Sequence, residues 1–274
     1  CEWDLRRKHW NLQNPGARRP EAYHLALQEA ASQADRSQGK VETIHAGVRI
    51  KDIGGSADLS YDRHPRYSLL DHILPVDTTR EDFVRCRYQD LGDFAAGAYH
   101  VSWQREEDGL IVRLERNGHV LVQGQPSPFR VQKELRLAAG SDALDVVYRL
   151  RNTGRRAVHA LFAPEWNVNL LAGGRNPSAT CEAHPGGEKG LLDGEGTLED
   201  ARAIVLENTG LGVRLRLDFG LPVRAWRFSV ESISNSEAGV ERLYQGTCLV
   251  PLIPLDLAAG ATLTVQMRWT PEEP

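Results

Sequence analysis

The sequence predicts a mostly β protein: a large twisted antiparallel β-sandwich with one or two short helices. Apolar and polar residues alternate with period two over most of the chain, and Gly, Pro and Asn interrupt the alternation at turns. Convincing helical spacing of apolar residues occurs in one segment near the N-terminus. About a dozen strands in meander order are typical of a large antiparallel sandwich.

Size and charge narrow the classes of partner. The chain has 274 residues, of which 41% are hydrophobic and 26% are charged, an ordinary globular composition that fits one large domain or two smaller ones. A net charge of −4 gives no indication of a nucleic-acid or anionic-membrane partner. No apolar stretch reaches the roughly 18 residues of a membrane-spanning helix. We therefore expect neither nucleic acid nor membrane as a partner.

The N-terminal part of the chain is predicted to contribute a first strand and a helix. We expect one domain, with residues 1–40 forming that strand and helix and residues 41–274 forming the main sandwich. The helix is predicted over Arg18–Asp35. Because the chain's methionine is Met267 and its opening resembles a domain interior, we expect a fragment of a longer protein. The alternative is a lipoprotein with Cys1 at its mature end.

Capping and turn residues further along the chain predict the remaining elements. Thr78 and Glu81 form a capping box for a short helix over Thr79–Val84. Asn117-Gly118 predicts a hairpin turn, because both central residues of a primed turn need positive φ. Residues Asn176–Asp200, rich in Gly, Glu and Pro, are predicted to form a long loop. The predicted strands are Tyr99–Arg105, Gly109–Glu115, Val120–Val122, Phe129–Leu137, Leu144–Arg151, Ala157–Pro164, Ala203–Leu206, Val213–Phe219, Val223–Glu231, Leu243–Pro251 and Thr262–Trp269.

The cysteines predict no metal site. They are widely spaced and form no CxxC pair, so a structural zinc site is not expected. We expect buried, reduced thiols in a cytoplasmic protein without a cofactor or a bound metal. The four residues are Cys1, Cys86, Cys181 and Cys248.

The densest polar block, Tyr61–Phe94, contains charged groups inside an apolar run. Such groups are costly to bury unless they are paired or used in function. One interpretation is a polar site. The other, which we favour, is a structural polar cluster in which Asp71 and His72 are buried in a sandwich strand with protein hydrogen-bond partners and an aspartate holds an arginine. The site interpretation uses Asp62, His64, Asp71 and His72, and the structural cluster comprises Asp62, Arg66, Asp71 and His72.

A second constellation lies in the segment PEWNVNLLAGG. Residues two apart on a strand share a face, so Glu165, Asn167 and Asn169 are predicted to face together, opposite Trp166. A carboxylate and two amides suit the binding of sugar hydroxyls. The alternative is a strand whose polar face is in solvent. The six tryptophans are expected to be core residues, because each buries so much apolar area. The alternative for each is an aromatic face that stacks on a sugar ring.

No catalytic motif is recognisable. The chain lacks GxSxG, HExxH and a glycine-rich phosphate loop, and no pair of carboxylates stands out as the pair a glycosidase needs. An acid–base pair like that of a sugar epimerase could combine His100 or His159 with Glu165. We assign no catalytic residue.

Four segments in order resemble the C-terminal region of glycoside hydrolase family 57 enzymes of the 4-α-glucanotransferase and α-amylase group. The segments are RRPEAYH (Arg18–His24), the block Tyr61–Phe94, PEWNVNLLAG (Pro164–Gly173) and VERLYQGTCLVPLIPLDL (Val240–Leu257). The resemblance implies a galactose-mutarotase-like sandwich packed against an N-terminal catalytic barrel of the same polypeptide. The family's catalytic carboxylates lie in that barrel, which no part of this chain matches.

Three functions remain open. The resemblance favours a non-catalytic domain of an α-glucan-acting enzyme that supports the barrel and contacts carbohydrate through Glu165, Trp166, Asn167 and Asn169. The second is an enzyme of the aldose-1-epimerase kind. The third is a purely structural interaction module, which an exposed apolar face with no polar cleft beside it would favour.

Overall fold

The computed structural model describes residues 62–236 and 239–273. The strand and helix predicted within residues 1–40 and the motif RRPEAYH lie outside the described residues. The chain divides into two compact units. The larger unit comprises residues 67–229 and 246–274, and the smaller unit comprises residues 1–66 and 230–245. The predicted single domain therefore stays a prediction.

Twelve strands and one short helix occur in the described residues. They are β1 (Leu70–Leu74), α1 (Arg80–Val84), β2 (His100–Glu106), β3 (Gly109–Val122), β4 (Gln125–Ala138), β5 (Leu144–Asn152), β6 (Val158–Val168), β7 (Ala179–His184), β8 (Gly190–Leu191), β9 (Gly196–Asn208), β10 (Val213–Ser236), β11 (Gly239–Leu257) and β12 (Thr262–Glu272).

The strands form a curled antiparallel sheet. Its order is β1-β6-β11-β10-β12-β5-β4-β3-β2, and β9 adds to β10 and carries β7, which in turn pairs with β8. Strand β1 pairs with β6 and lies at one end of the path, whereas β2 is the edge strand at the other. The predicted mostly β, antiparallel fold is confirmed.

The core of the larger unit follows the predicted period-two alternation. In β5, Val146, Tyr148 and Leu150 are buried, and the residues between them are at least partly exposed. The Tyr148 ring meets Phe162 of β6 edge to face, with 5.0 Å between ring centroids. Burial of such large side chains on one face of a strand removes apolar area from water and stabilises the sheet.

The short helix begins one residue later than the capping box predicts. Its N-cap is Thr79, whose hydroxyl accepts a hydrogen bond from the backbone N–H of Asp82 at 3.1 Å. The prediction with Thr78 as the cap and Glu81 as its partner is therefore wrong by one position. Within this helix, Phe83 is the buried residue, and it is fully buried.

The predicted hairpin turn at Asn117-Gly118 is wrong, because β3 continues through both residues. The β3–β4 turn instead lies at Gln123-Gly124, where φ is 52° and 74°. Gly118 is required for a different reason. A Cβ there would meet the Phe94 ring at 2.9 Å and would also collide with the Asp93 carboxylate, so the glycine admits a close neighbour rather than a positive φ.

The long loop predicted over Asn176–Asp200 is also wrong, because it contains β7, β8 and the start of β9. Strand β7 buries small side chains, Ala179, Cys181 and Ala183, between half-exposed neighbours. Small residues bury little area, so their alternation is a weak signal beside the Gly and Glu around it.

The described part of the smaller unit contains one predicted pair. Arg66 donates to the Asp62 carboxylate at 2.8–2.9 Å, and both side chains are buried. The expectation that an aspartate of this block holds Arg66 is therefore confirmed. In the same unit, Gln245 donates to the Ser232 hydroxyl at 2.8 Å. Over the described residues, no helix is long and apolar enough to cross a membrane.

Candidate functional site

His72 lies in β1 between two carboxylates. Its Nδ1 is 2.8 Å from Oδ2 of Asp90, and its Nε2 is 3.1 Å from Oε2 of Glu165 in the neighbouring strand β6. The side chains of His72 and Glu165 are fully buried, and that of Asp90 is 20% exposed. The prediction that His72 is buried with protein partners is confirmed.

The two carboxylates determine the charge of the imidazole. Burial alone would lower the pKa of His72, but the hydrogen bonds to Asp90 and Glu165, together with their negative charges, raise it from 6.5 to about 9. His72 is therefore an imidazolium at neutral pH and donates a hydrogen bond from each ring nitrogen. The charge is compensated where it is buried, which is the condition under which such burial is tolerated.

Secondary contacts fix both carboxylates. Oδ1 of Asp90 accepts hydrogen bonds from the backbone N–H of Ile73 at 3.1 Å and of Gly92 at 3.0 Å. Oε1 of Glu165 accepts one from the Asn167 side chain at 2.6 Å. The network therefore joins β1, β6 and the segment after α1 into one hydrogen-bonded group.

Aromatic rings close the space around His72. Phe83 and Tyr88 each meet the imidazole edge to face, with centroid distances of 5.3 and 5.7 Å, and they stack on each other at 4.6 Å. Trp226 packs on Phe83 from β10 at 5.6 Å. Since His72 and Glu165 have no exposed surface, a substrate cannot reach the pair. The two residues form a buried ion pair between neighbouring strands.

Asp71 points to the other face of β1 and forms a second cluster. Its Oδ2 accepts hydrogen bonds from Lys133 Nζ of β4 at 2.7 Å and from the Tyr99 hydroxyl. Lys133 also donates to the carbonyl of Leu69 at 2.6 Å. Asp71 is fully buried and Lys133 is 4% exposed, so the prediction of a buried, partnered Asp71 is confirmed. The cation that holds it is a lysine, not the predicted arginine.

Two tyrosines complete this cluster. The Lys133 ammonium lies 4.4 Å from the centre of the Tyr99 ring and 5.9 Å from that of Tyr148, which are cation–π distances. Burial, and then the charge of Asp71, raise the pKa of both tyrosine hydroxyls above their ordinary value of 10. Both hydroxyls therefore stay protonated, and Tyr99 donates to the carboxylate.

The predicted carbohydrate face does not form one exposed surface. Glu165 is fully buried and Trp166 is 4% exposed, packed edge to face on Trp269 at 5.5 Å. Asn167 is half-buried and donates to Glu165 and to the carbonyl of Tyr67. Asn169 lies beyond the end of β6 and is exposed. Its Oδ1 accepts a hydrogen bond from the backbone N–H of Leu171 at 2.8 Å. A polar face wholly in solvent, the alternative, is wrong because Glu165 is buried.

The histidines of the epimerase hypothesis are not placed for it. His100 and His159 are both exposed, whereas Glu165 is fully buried and contacts His72. The pairing of either with Glu165 is therefore wrong. His159 lies six residues before Glu165 in the same strand, β6, and it pairs with Asp256 of β11.

The tryptophans divide into a buried set and one exposed member. Trp166, Trp226 and Trp269 are at most 8% exposed, as predicted for core residues, but Trp103 of β2 is 71% exposed. The expectation of a core position is wrong for Trp103, because it lies on the edge strand, where every residue is exposed. Trp3 and Trp10 lie outside the described residues.

Sequence reasoning missed Asp90 and Lys133 as partners. Lys133 occupies an apolar phase of its strand, since Val131 and Leu135 flank it two residues away, and a lysine in such a phase is a signal that a counter-charge lies opposite. Asp90 carries no such signal, because it lies outside regular structure and folding brings it to His72.

Comparisons with known proteins agree with this fold. The family model for "Alpha-amylase/4-alpha-glucanotransferase, C-terminal" matches residues 1–267. Alpha-amylase 1 of Dictyoglomus thermophilum is 29% identical over 274 residues, which are 98% of this chain but 36% of that protein. The chain thus spans about a third of the length of the curated relatives that it matches.

Solved structures show the same architecture. The crystal structure of 4-alpha-glucanotransferase from Thermococcus litoralis matches with a TM-score of 0.61 at 23% identity, over 78% of this chain and 28% of that one. A galactose mutarotase-like protein from Clostridium acetobutylicum matches with a TM-score of 0.50 at 10% identity, over 76% and 80% of the two chains. These likenesses support the predicted galactose-mutarotase-like sandwich. The chain belongs to the family of alpha-amylase/4-alpha-glucanotransferase C-terminal domains.

Proposed function

We propose that this chain is the non-catalytic C-terminal domain of an enzyme that acts on α-glucans, an α-amylase or a 4-α-glucanotransferase. One observation supports this above the others. The family match extends over residues 1–267, yet the chain spans 36% and 34% of two relatives named for these activities. The remaining two thirds of such an enzyme leave room for a separate catalytic barrel on the same polypeptide.

The geometry of the larger unit supports a scaffold rather than a catalyst. A glycosidase needs two carboxylates that reach the sugar from opposite sides of the bond it breaks. Here Glu165 and Asp90 instead hold the imidazolium of His72, and Asp71 holds Lys133. Glu165 and Asp71 are fully buried and have no access to a polysaccharide, and Asp90, which is 20% exposed, is bonded to His72.

The proposed role has two parts: support of the catalytic barrel and contact with the glucan. Contact through the end of β6 stays a proposal, and it depends on the surface positions Asn167 and Asn169, since Glu165 and Trp166 are interior. A cytoplasmic location is also a proposal. It is consistent with the buried free thiols of Cys86, Cys181 and Cys248.

A direct test compares this chain with a longer product of the same gene. The purified 274-residue chain is expected neither to release reducing sugar from maltoheptaose nor to redistribute its glucose units. A product that includes the coding sequence upstream is expected to do one or the other. Turnover by the 274-residue chain alone would contradict the proposal.

The epimerase alternative has its own assay. Polarimetry of freshly dissolved α-glucose should give the buffer rate of anomer interconversion in the presence of the chain, because His72 and Glu165 are inaccessible. A rate above background that disappears in a Glu165→Gln variant would favour the epimerase over the accessory domain.

A further inference from the structure

An exposed aromatic cleft lies at the β2 edge of the sheet, far in the strand order from the β1–β6 pair that holds His72. The cleft has a volume of about 630 Å³, within the range of roughly 300–1,000 Å³ that is common for ligand sites. Its most exposed large hydrophobic side chain is Trp103, at 71%. Because its indole is in solvent, Trp103 does not pack into the core, so core packing does not explain a tryptophan on this edge strand.

The register shows which residues share a face with Trp103. Val112 of β3 lies directly opposite it, and Arg105, two residues further along β2, faces the same way opposite Leu110. Leu137 of β4 continues the surface and is 43% exposed. The result is a shallow apolar floor with one large flat ring standing on it.

Charged groups border this floor. Arg105 and Glu107 line the cleft and are exposed, and within the described residues neither side chain has a hydrogen-bond or ion-pair partner. Glu106 lies beside them and accepts a hydrogen bond from Gln104. An apolar floor with charged groups beside it offers a sugar ring both surfaces that it needs, one for its C–H face and one for its hydroxyls.

The chemistry of this cleft fits a glucose unit. The face of an indole ring carries partial negative charge, and the C–H bonds on the flat side of a glucopyranose are its electropositive, apolar surface. Arg105 can donate to the ring hydroxyls, and Glu107 can accept from them. A neutral sugar satisfies both groups without leaving a net charge buried.

The extent of the cleft favours an oligosaccharide over a protein. Its volume of about 630 Å³ is that of a small-ligand cleft. A ligand of a few glucose units covers a surface of this size.

We infer that the Trp103 cleft binds α-glucan, with the indole stacked on one glucose unit and with Arg105 and Glu107 bonded to its hydroxyls. This inference rests on the proposed function for the class of ligand, and it places the sugar on β2–β4 instead of at the end of β6. It gives the domain a non-catalytic site that holds the polysaccharide chain.

The test is calorimetric titration of maltoheptaose into the 274-residue chain and its variants. Trp103→Ala should weaken binding about tenfold or more, and Trp103→Phe should retain part of the affinity. The matched control is Leu211→Ala, which also truncates an exposed apolar side chain, 47% exposed, in the turn between β9 and β10. It should bind like the parent. Because Trp103 is exposed, neither variant at this position should lose its fold, and circular dichroism verifies this.

Three outcomes would overturn the inference. Equal binding by Trp103→Ala places any sugar site elsewhere, and no heat from the parent chain at millimolar sugar excludes this one. Sedimentation that shows a dimer dependent on Trp103, without sugar binding, identifies the face as a contact between copies. All three leave the assignment as an accessory domain standing, because that assignment fails only by the separate activity assay. The absence of any heat would in addition remove the proposed contact with the glucan.

Discussion

Asp71 and His72 are neighbours in β1 that face opposite sides of the strand, and each meets its own counter-charge. Asp71 meets Lys133 on one face, and His72 meets Asp90 and Glu165 on the other. The polar pair interrupts an apolar run without leaving an uncompensated charge in the interior. A slip of β1 by one residue would exchange the two faces and separate every pair, so the charges also specify the register of the strand.

The first prediction concerns the pH dependence of stability through His72. Its folded pKa of about 9 lies above the ordinary 6.5, so its contribution is fully present below pH 6.5 and is lost as the pH rises through 9. A shift of this size corresponds to about 3 kcal/mol. Urea unfolding of the parent and of His72→Gln, followed from pH 6 to pH 10, should show the difference in unfolding free energy shrinking by an amount of this order. Parallel curves would mean that the folded imidazole is not charged.

The second prediction concerns the buried Asp71–Lys133 pair. Lys133→Met keeps the length of the side chain but leaves Asp71 buried without its cation, which should lower the unfolding free energy by about 3–5 kcal/mol. The double variant Asp71→Leu/Lys133→Met should recover much of this loss, because it leaves no unpaired charge. Urea titration of the parent, both single variants and the double variant gives the coupling energy. Additive effects would show that the two groups do not interact.

At the scale of the elements, Gly118 shows how a turn signal can serve another purpose. It lies inside β3 beneath Asp93 and Phe94, where a Cβ would meet the Phe94 ring at 2.9 Å. Gly118→Ala should therefore lower the unfolding free energy by about 1–3 kcal/mol. Gly220→Ala is the control, since its Cβ would have no neighbour closer than 3.6 Å. Thermal unfolding of the two variants checks this, and equal midpoints would contradict the close approach.

Local patterns in the sequence were sufficient for most of the strands and for the burial of Asp71 and His72. Period-two alternation identifies β4, β5 and β12, because each buries one face of large side chains. The bounds agree closely for β5, whereas the predicted strand starts four residues late in β4 and stops three residues early in β12. Strand β7 was missed because its buried residues are small. The partners of His72 were missed for another reason: Asp90 and Glu165 are 18 and 93 residues away, and spacing along the chain carries no information about such contacts.

At the scale of the whole chain, the buried polar groups differ from the exposed ones in their expected roles. The polar groups inside the larger unit are paired with one another and serve the fold, whereas the unpaired charged groups Arg105 and Glu107 lie at the surface beside Trp103. In an accessory domain the interior has no chemistry to perform, so function is expected on the exposed faces of strands. The β2 edge combines exposed aromatic, cationic and anionic groups.

The last prediction uses three cysteines to ask whether the larger unit unfolds as one body. Cys86, Cys181 and Cys248 lie after α1, in β7 and in β11, and all three are buried. Burial also raises the pKa of the Cys181 thiol to about 12, so its reactive thiolate is scarce in the folded state. In a Cys1→Ser variant, which removes the fourth thiol, Ellman's reagent should detect no thiol without denaturant and three thiols after full unfolding. If the larger unit unfolds as one body, all three should become reactive together at the urea midpoint seen by circular dichroism. A thiol that reacts at lower urea would instead identify a part of the unit that opens by itself.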